Sequence, residues 1–299
     1  MAQVTQRRLD LKVGFACNNH CVFCAQGDKR KGTKAFAAKD LAQKLVATAG
    51  KASGLVLTGG EPSMHRDILA LVRLAKRLGY APIQLQTNGR MLSHGRVLAE
   101  FVRAGVTEVS PSLHGPDAAI HDGLTRTPGS FEQSAQGIRN AVAAGIPVVT
   151  NSVITRQNVH VLAELVELLA DLGVHNSQLA LVHPVGTAQV LFDEVVPRLP
   201  DVEQALRPAR EVAQRRGMRL VTEAVPLCFL RGMSELCVES SIPPTTVIDL
   251  EGTVDYSEWR IQEGKAKGPP CLGCSAADRC EGPWREFPEH FGWDEFVPL

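Results

Sequence analysis

From residue 9 to about residue 184, short apolar runs alternate with longer stretches whose apolar residues recur at helical spacing. The short runs predict strands over 9–15, Gly54–Thr58, Ile83–Thr87, 107–112, 147–154 and 178–183. The longer ones predict helices over 67–78, Gly95–Ala104, 131–144 and 159–172, and each stops at a glycine: Gly79, Gly105, Gly145 and Gly173. Repeated strand–helix units imply parallel strands joined by right-handed crossovers. Six units in roughly 180 residues suit a partial barrel, smaller than the eight-unit form. An open doubly wound sheet is the alternative. In both architectures ligands gather at the carboxyl ends of the strands.

Beyond the repeats, 200–217 reads as a charged helix broken at Pro208, and 218–225 as a strand leading into Pro226-Leu227-Cys228. Residues 245–250 and 253–256 flank Glu251-Gly252 as a β-hairpin. Trp284, Phe287, Phe291, Trp293 and Phe296 give the tail the look of a packing strap over a core. The 44% hydrophobic and 21% charged content of these 299 residues fits a globular protein with a substantial core. A formal net charge of zero favours neither nucleic-acid nor membrane-surface binding. No apolar run reaches membrane-spanning length, and the opening Met-Ala-Gln-Val-Thr-Gln-Arg-Arg lacks a secretory apolar stretch, so a cytoplasmic location is expected.

The cysteines sharpen this picture. Three lie within positions 17–24, none from 25 to 227, and five between 228 and 280, which suggests two metal sites and no disulfide framework. Cys17, Cys21 and Cys24 share one short loop, so their sulfurs can converge. Cubane iron–sulfur clusters normally take four cysteines; three would leave one iron open. Zinc with His20 as a fourth ligand, or three unrelated buried thiols, are the plainer readings. The context favours a cluster. A strand runs into the loop, and a second strand ends in the turn Gly59-Gly60-Glu61-Pro62.

This cysteine spacing, with Phe23 before the last thiol and the Gly59–Pro62 turn following in order, resembles the radical S-adenosylmethionine (SAM) superfamily. The resemblance favours the α/β partial barrel with six strand–helix units. It implies a 4Fe–4S cluster whose open iron is chelated by the amino and carboxylate groups of SAM. Electron transfer from the cluster then cleaves SAM to a 5′-deoxyadenosyl radical. It further implies that Gly59 and Gly60 contact the SAM amino group with Glu61 nearby, and that Asn88, Ser112 and Asn151 hold its ribose and carboxylate. Arg126 resembles the arginine placed near that carboxylate. A structural turn and a surface loop are the plainer readings of these positions. His114, His121 and His183 are expected near the barrel mouth as proton carriers, in particular His114 and His183. The basic run Lys29-Arg30-Lys31-Gly32-Thr33-Lys34 would suit an acidic electron donor such as a flavodoxin or ferredoxin.

Cys228, Cys237, the pair Cys271-Leu272-Gly273-Cys274 and Cys280 form the second group, with zinc again the plainer alternative. They resemble the auxiliary cluster regions of the SPASM and Twitch groups, which implies one further 4Fe–4S cluster on Cys228, Cys271, Cys274 and Cys280, with Cys237 an alternate ligand or free. The expected organisation is a barrel over 1–190, a helical connector and strand over 191–225, and a cluster-binding extension over 226–299. The expected activity is reductive SAM cleavage and hydrogen abstraction from an organic substrate, a peptide in the first instance. The alternative is a small molecule or cofactor precursor, as for the molybdenum-cofactor cyclase, although Phe296-Val297-Pro298-Leu299 lacks that family's terminal glycine pair. A non-enzymatic iron–sulfur or zinc protein is the third reading.

Overall fold

The computed structural model describes residues 7–30, 36–249 and 252–299. Strand β1 (Arg8–Lys12) is followed by α1 (Ala38–Thr48), β2 (Gly54–Thr58), α2 (Ile68–Arg77), β3 (Ile83–Thr87) and α3 (Gly95–Ala104). Next come β4 (Glu108–Pro111), α4 (Ala118–Thr125), α5 (Ser130–Ala143), β5 (Val149–Ile154), α6 (Leu162–Asp171) and β6 (Asn176–Leu181). Two single-turn helices, α7 (Thr187–Val190) and α8 (Phe192–Val195), precede α9 (Leu199–Arg215) and β7 (Arg219–Glu223). The hairpin strands β8 (Thr245–Ile248) and β9 (Thr253–Asp255), then α10 (Tyr256–Trp259) and α11 (Glu286–Phe291), complete the chain. Leu250 and Glu251, at the expected hairpin turn, lie outside the described residues.

The strands form one sheet in the order β4-β3-β2-β1-β8-β9 and a second in the order β5-β6-β7, parallel except for β9. Parallel bridges from Val109 to Val148 and from Ser112 to Asn151 join the two. The result is a curved arc of eight parallel strands, running β8-β1-β2-β3-β4-β5-β6-β7. The six expected units stand at its centre, flanked by β7 at one edge and β8 at the other. Arg8 pairs with Thr245 and Leu11 with Ile248, so the hairpin belongs to the barrel wall.

Strand alternation explains the layering. Leu9 and Leu11 are wholly buried, whereas Asp10 and Lys12 line an inner cavity. The amphipathic helices cover the outside; α9 packs on α6, and its buried face includes Leu206 and Val212. Pro208 does not break α9 as the sequence suggested. Its ring removes one backbone hydrogen bond, but Leu206, Ala209 and Val212 are buried on both sides of it and hold the helix in place.

Candidate metal and cofactor site

The cysteine loop leaves β1 and is tied down on two sides. Gly60 N donates to Gly14 O at 2.8 Å and Glu61 N to Ala16 O at 2.7 Å. On the other side, His20 N donates to Thr125 O (2.8 Å) and Val22 N to Leu124 O (2.9 Å) at the end of α4. Cys17, Cys21 and Cys24 are half-buried and line a cavity of about 410 Å³ at the carboxyl ends of the strands. Burial pushes the Cys21 thiol up to about 12, and the adjacent Cys24 and Cys17 push it the same way. Three thiolates this close need a positive centre among them. Among the described residues, no three His, Cys, Asp or Glu side chains converge as ligands of a single metal ion. The donor set, three thiols from one short loop on one cavity wall, suits a cubane with one iron left open.

Gly59 and Gly60 also line the cavity, and their lack of side chains has a local cause. A Cβ on Gly60 would fall 2.3 Å from Ala16 O and 2.4 Å from Phe15 O; one on Gly59 would fall 2.2 Å from Gly14 O. The turn therefore nests against the cysteine loop backbone to backbone. Glu61 does not reach the cavity lining. Its Oε1 accepts from Ser63 N (3.0 Å), Ser63 Oγ (2.5 Å) and Thr87 Oγ1 (2.6 Å), and its Oε2 from Asn88 N (2.7 Å). Burial raises its carboxyl, and these hydrogen bonds pull the other way. It fastens the turn to β3 instead of facing a ligand.

Asn88 lines the cavity, but its amide is engaged with the cysteine loop: Nδ2 donates to Asn18 Oδ1 at 2.6 Å and lies 3.9 Å from Cys17 Sγ. Ser112 and Asn151 meet as bridge partners on the cavity wall. Asn151 Oδ1 is buried without a partner, as an acceptor awaiting a ligand donor would be. The sequence left open which of Asn151 and Ser152 faces inward; Ser152 turns away and donates to Leu113 O at 2.5 Å. Arg126 lies outside the cavity, exposed, at the αL cap that ends α4 (φ 50°). Asp122 accepts from Gly129 N (2.6 Å), Ser130 Oγ (2.8 Å) and Phe131 N (2.7 Å), which folds the 126–129 segment into a turn between α4 and α5. The arginine on the cavity wall is Arg30, from the basic run that follows the cysteine loop. Lys31 to Lys34 of that run lie outside the described residues.

His114 and His183 both line the cavity. Burial and the neighbouring His121 push His114 well below the usual range. Its Nδ1 accepts from Val153 N at 3.1 Å, so the neutral ring carries its proton on Nε2. His121 stacks behind it, accepts from His114 N at 3.0 Å, and does not line the cavity. Burial pushes His121 down to about 4. A histidine depressed in this way binds its proton more weakly folded than unfolded, so its contribution to stability is complete above pH 6.5 and is lost as pH falls toward 4. Urea denaturation is expected to show about 3 kcal/mol of this loss across that window, and a His121→Gln variant should flatten the slope. His183 stacks on Trp284, ring centroids 3.8 Å apart, with Glu286 Oε2 3.6 Å away. Asp10 and Glu223, both raised by burial, and Tyr256 and Trp284 also line the cavity; the sequence marks Trp284 only as part of the aromatic strap and singles out none of the four as a site residue.

A second pocket, otherwise almost wholly apolar, is lined by Cys228, Cys271, Cys274 and Cys280. Burial pushes Cys228 up to about 12, with Cys280, Cys271 and Cys274 adding in the same direction. Cys237 lies outside this pocket and its Sγ donates to Glu239 Oε2 at 3.1 Å. The linings of the two pockets adjoin in the chain. Ala224 and Trp284 face the strand-end cavity, while Pro226 and Pro283, close by in the chain, face the thiol pocket. Among the described residues, no helix is long and apolar enough to cross a membrane.

Comparison with known proteins extends the likeness. A probable GTP 3′,8-cyclase of Saccharolobus solfataricus is 33% identical over 193 residues, covering 62% of this chain and 60% of that protein. An AdoMet-dependent heme synthase of Oleidesulfovibrio alaskensis is 28% identical over 241 residues, covering 80% of this chain and 61% of that protein. The chain thus spans about three fifths of the length of these curated relatives. Among solved structures, Streptococcus suis SuiB bound to S-adenosylmethionine superposes with a TM-score of 0.67 over 93% of this chain and 73% of that one. The identity is 17%, so this likeness concerns the fold. The family model described as "Radical SAM superfamily" matches residues 11–175, more than half of the chain and all of the cysteine loop, and the chain belongs to that superfamily.

Proposed function

We propose that this chain is an oxidoreductase or maturase in which Cys17, Cys21 and Cys24 hold a 4Fe–4S cluster at the mouth of the strand-end cavity. The observation that carries this reading is three half-buried thiols on the wall of one cavity, beside an orphaned acceptor, Asn151 Oδ1. The radical SAM family uses such a cluster together with SAM. When bound, the pair supplies reductive cleavage of SAM and removal of a hydrogen atom from the substrate. The chain's own residues do the rest. The Gly59–Gly60 turn holds the loop in place, Ser112 and Asn151 bond the polar groups of SAM, and His114 offers a neutral N–H. His183, backed by Glu286, is placed to take up a proton. Anaerobic reconstitution with iron and sulfide, dithionite reduction and assay for 5′-deoxyadenosine after adding SAM test this reading. An intact, reduced cluster that yields no 5′-deoxyadenosine sinks it.

Cys228, Cys271, Cys274 and Cys280 are proposed to hold an auxiliary 4Fe–4S cluster within the C-terminal region. The adjoining of the two linings at Pro283 and Trp284 supports a role for this cluster in the oxidation of a substrate lying against Trp284. Joint replacement of Cys271 and Cys274 by alanine is expected to lower iron from about eight to about four per chain, with SAM cleavage retained. An unchanged iron count would remove the second cluster. A flavodoxin or ferredoxin is the proposed electron donor.

The substrate is proposed to be a peptide, a reading supported by fold likeness over 93% of the chain to SuiB, also crystallised with its precursor peptide SuiA. A small-molecule substrate draws support from the relatives of 28–33% identity named for GTP cyclisation and heme synthesis. Assaying SAM-dependent mass changes on a peptide encoded beside the gene, against a panel of nucleotides and porphyrins, separates the two.

A further inference from the structure

Two arginines grip the cysteine loop from different places in the chain. Arg90, just after β3, donates from Nη1 to the carbonyl of Asn18 and to Asn19 Oδ1 (2.9 Å), while its Nε is held by Gln133 Oε1 on α5 at 2.6 Å. Arg30 donates from Nη2 to the carbonyl of Asn19. Asn88 completes the assembly: its Nδ2 donates to Asn18 Oδ1 at 2.6 Å, and its Oδ1 accepts from Arg90 N at 3.0 Å. The backbone N–H of Asn19 lies 3.4 Å from Cys17 Sγ.

This geometry has two physical consequences. Asn19 is only 3% exposed, so its peptide groups need partners other than bulk water, and a planar guanidinium supplies donors in a fixed fork. With the Asn18 and Asn19 carbonyls pinned, the peptide planes cannot rotate, and the N–H aimed at Cys17 Sγ stays aimed. Hydrogen bonds to the sulfurs and the net charge around a cluster are also what set its potential.

We propose that Arg90 is a positioning residue for the N-terminal cluster: together with Arg30 it clamps the peptide planes between Cys17 and Cys21, and its charge raises the cluster's reduction potential. This rests on the reading of Cys17, Cys21 and Cys24 as cluster ligands. The test uses the full-length chain reconstituted anaerobically, as wild type, Arg90→Lys and Arg90→Gln. The midpoint is followed by EPR through the signal that SAM perturbs, and iron loss to a chelator is timed separately. Both variants are expected to lose the N-terminal iron about tenfold faster than wild type. Arg90→Gln should also show up to a tenfold smaller reduced fraction at fixed potential, a shift of about 59 mV for one electron, whereas Arg90→Lys stays near wild type. Arg90→Gln with the wild-type midpoint and wild-type chelation rate overturns the clamp. Should that variant fail to fold by circular dichroism, a wild-type chelation rate in Arg90→Lys overturns it instead. A wild-type chain that shows no SAM-perturbed signal overturns the ligand reading itself, and the clamp falls with it.

Discussion

Changing Gly60 to alanine is expected to dislodge the cysteine loop without touching a single sulfur. The new methyl carbon would sit 2.3 Å from Ala16 O and 2.4 Å from Phe15 O, and both obstacles are backbone. No rotamer relieves such a contact, so the turn and the loop must part. Gly60 N to Gly14 O and Glu61 N to Ala16 O are then the first bonds to go. Overpacking of this kind costs about 1–3 kcal/mol, and the loss falls at the point where the metal is held. Iron bound by the N-terminal thiols should drop well below wild type, with a lower thermal midpoint. Gly95→Ala is the control, because nothing lies within 4 Å of its added carbon and it opens α3 with ordinary dihedrals. That variant should be neutral or more stable by about 0.5–1 kcal/mol. Equal iron retention in the two would refute the close-nesting account.

Replacing Cys24 by alanine should have a different signature: a folded protein that makes no 5′-deoxyadenosine. Cys24 is half-buried at the cavity wall, and its removal relieves electrostatic pressure on Cys21, where burial and the neighbouring thiols together resist ionisation. The fold should therefore survive while iron falls by about four per chain. The comparison with the Cys271, Cys274 variant is informative because the two lose similar iron and differ in SAM cleavage. Activity surviving in the Cys24 variant would show that the thiol is not a ligand.

Much of the barrel was legible because its signals are local. Periodicity located the six central strands, and the glycines at 79, 105, 145 and 173 mark helix ends with positive φ, as their positions suggested. What stayed hidden depends on partners distant in sequence. No spacing rule reveals that Arg90 reaches Asn18, that the Glu61 carboxylate is spent on Ser63, Thr87 and Asn88, or that Arg126 is carried outside by the turn that Asp122 organises. The Asn151–Ser152 choice needed the strand's actual facing. Tyr256 and Trp284 reach the cavity from segments that the sequence suggested only as a hairpin end and a packing strap.

The parallel pairing of β8 with β1 constrains how the protein can be dissected or diversified. A fragment trimmed to residues 11–175, the span of the family match, would cut β1 short and strip away its outer companion. The bared edge would invite other copies to dock and aggregate. Descendants that abandon the rear thiols would still be obliged to keep the ribbon in front of them, because it serves as a stave of the barrel.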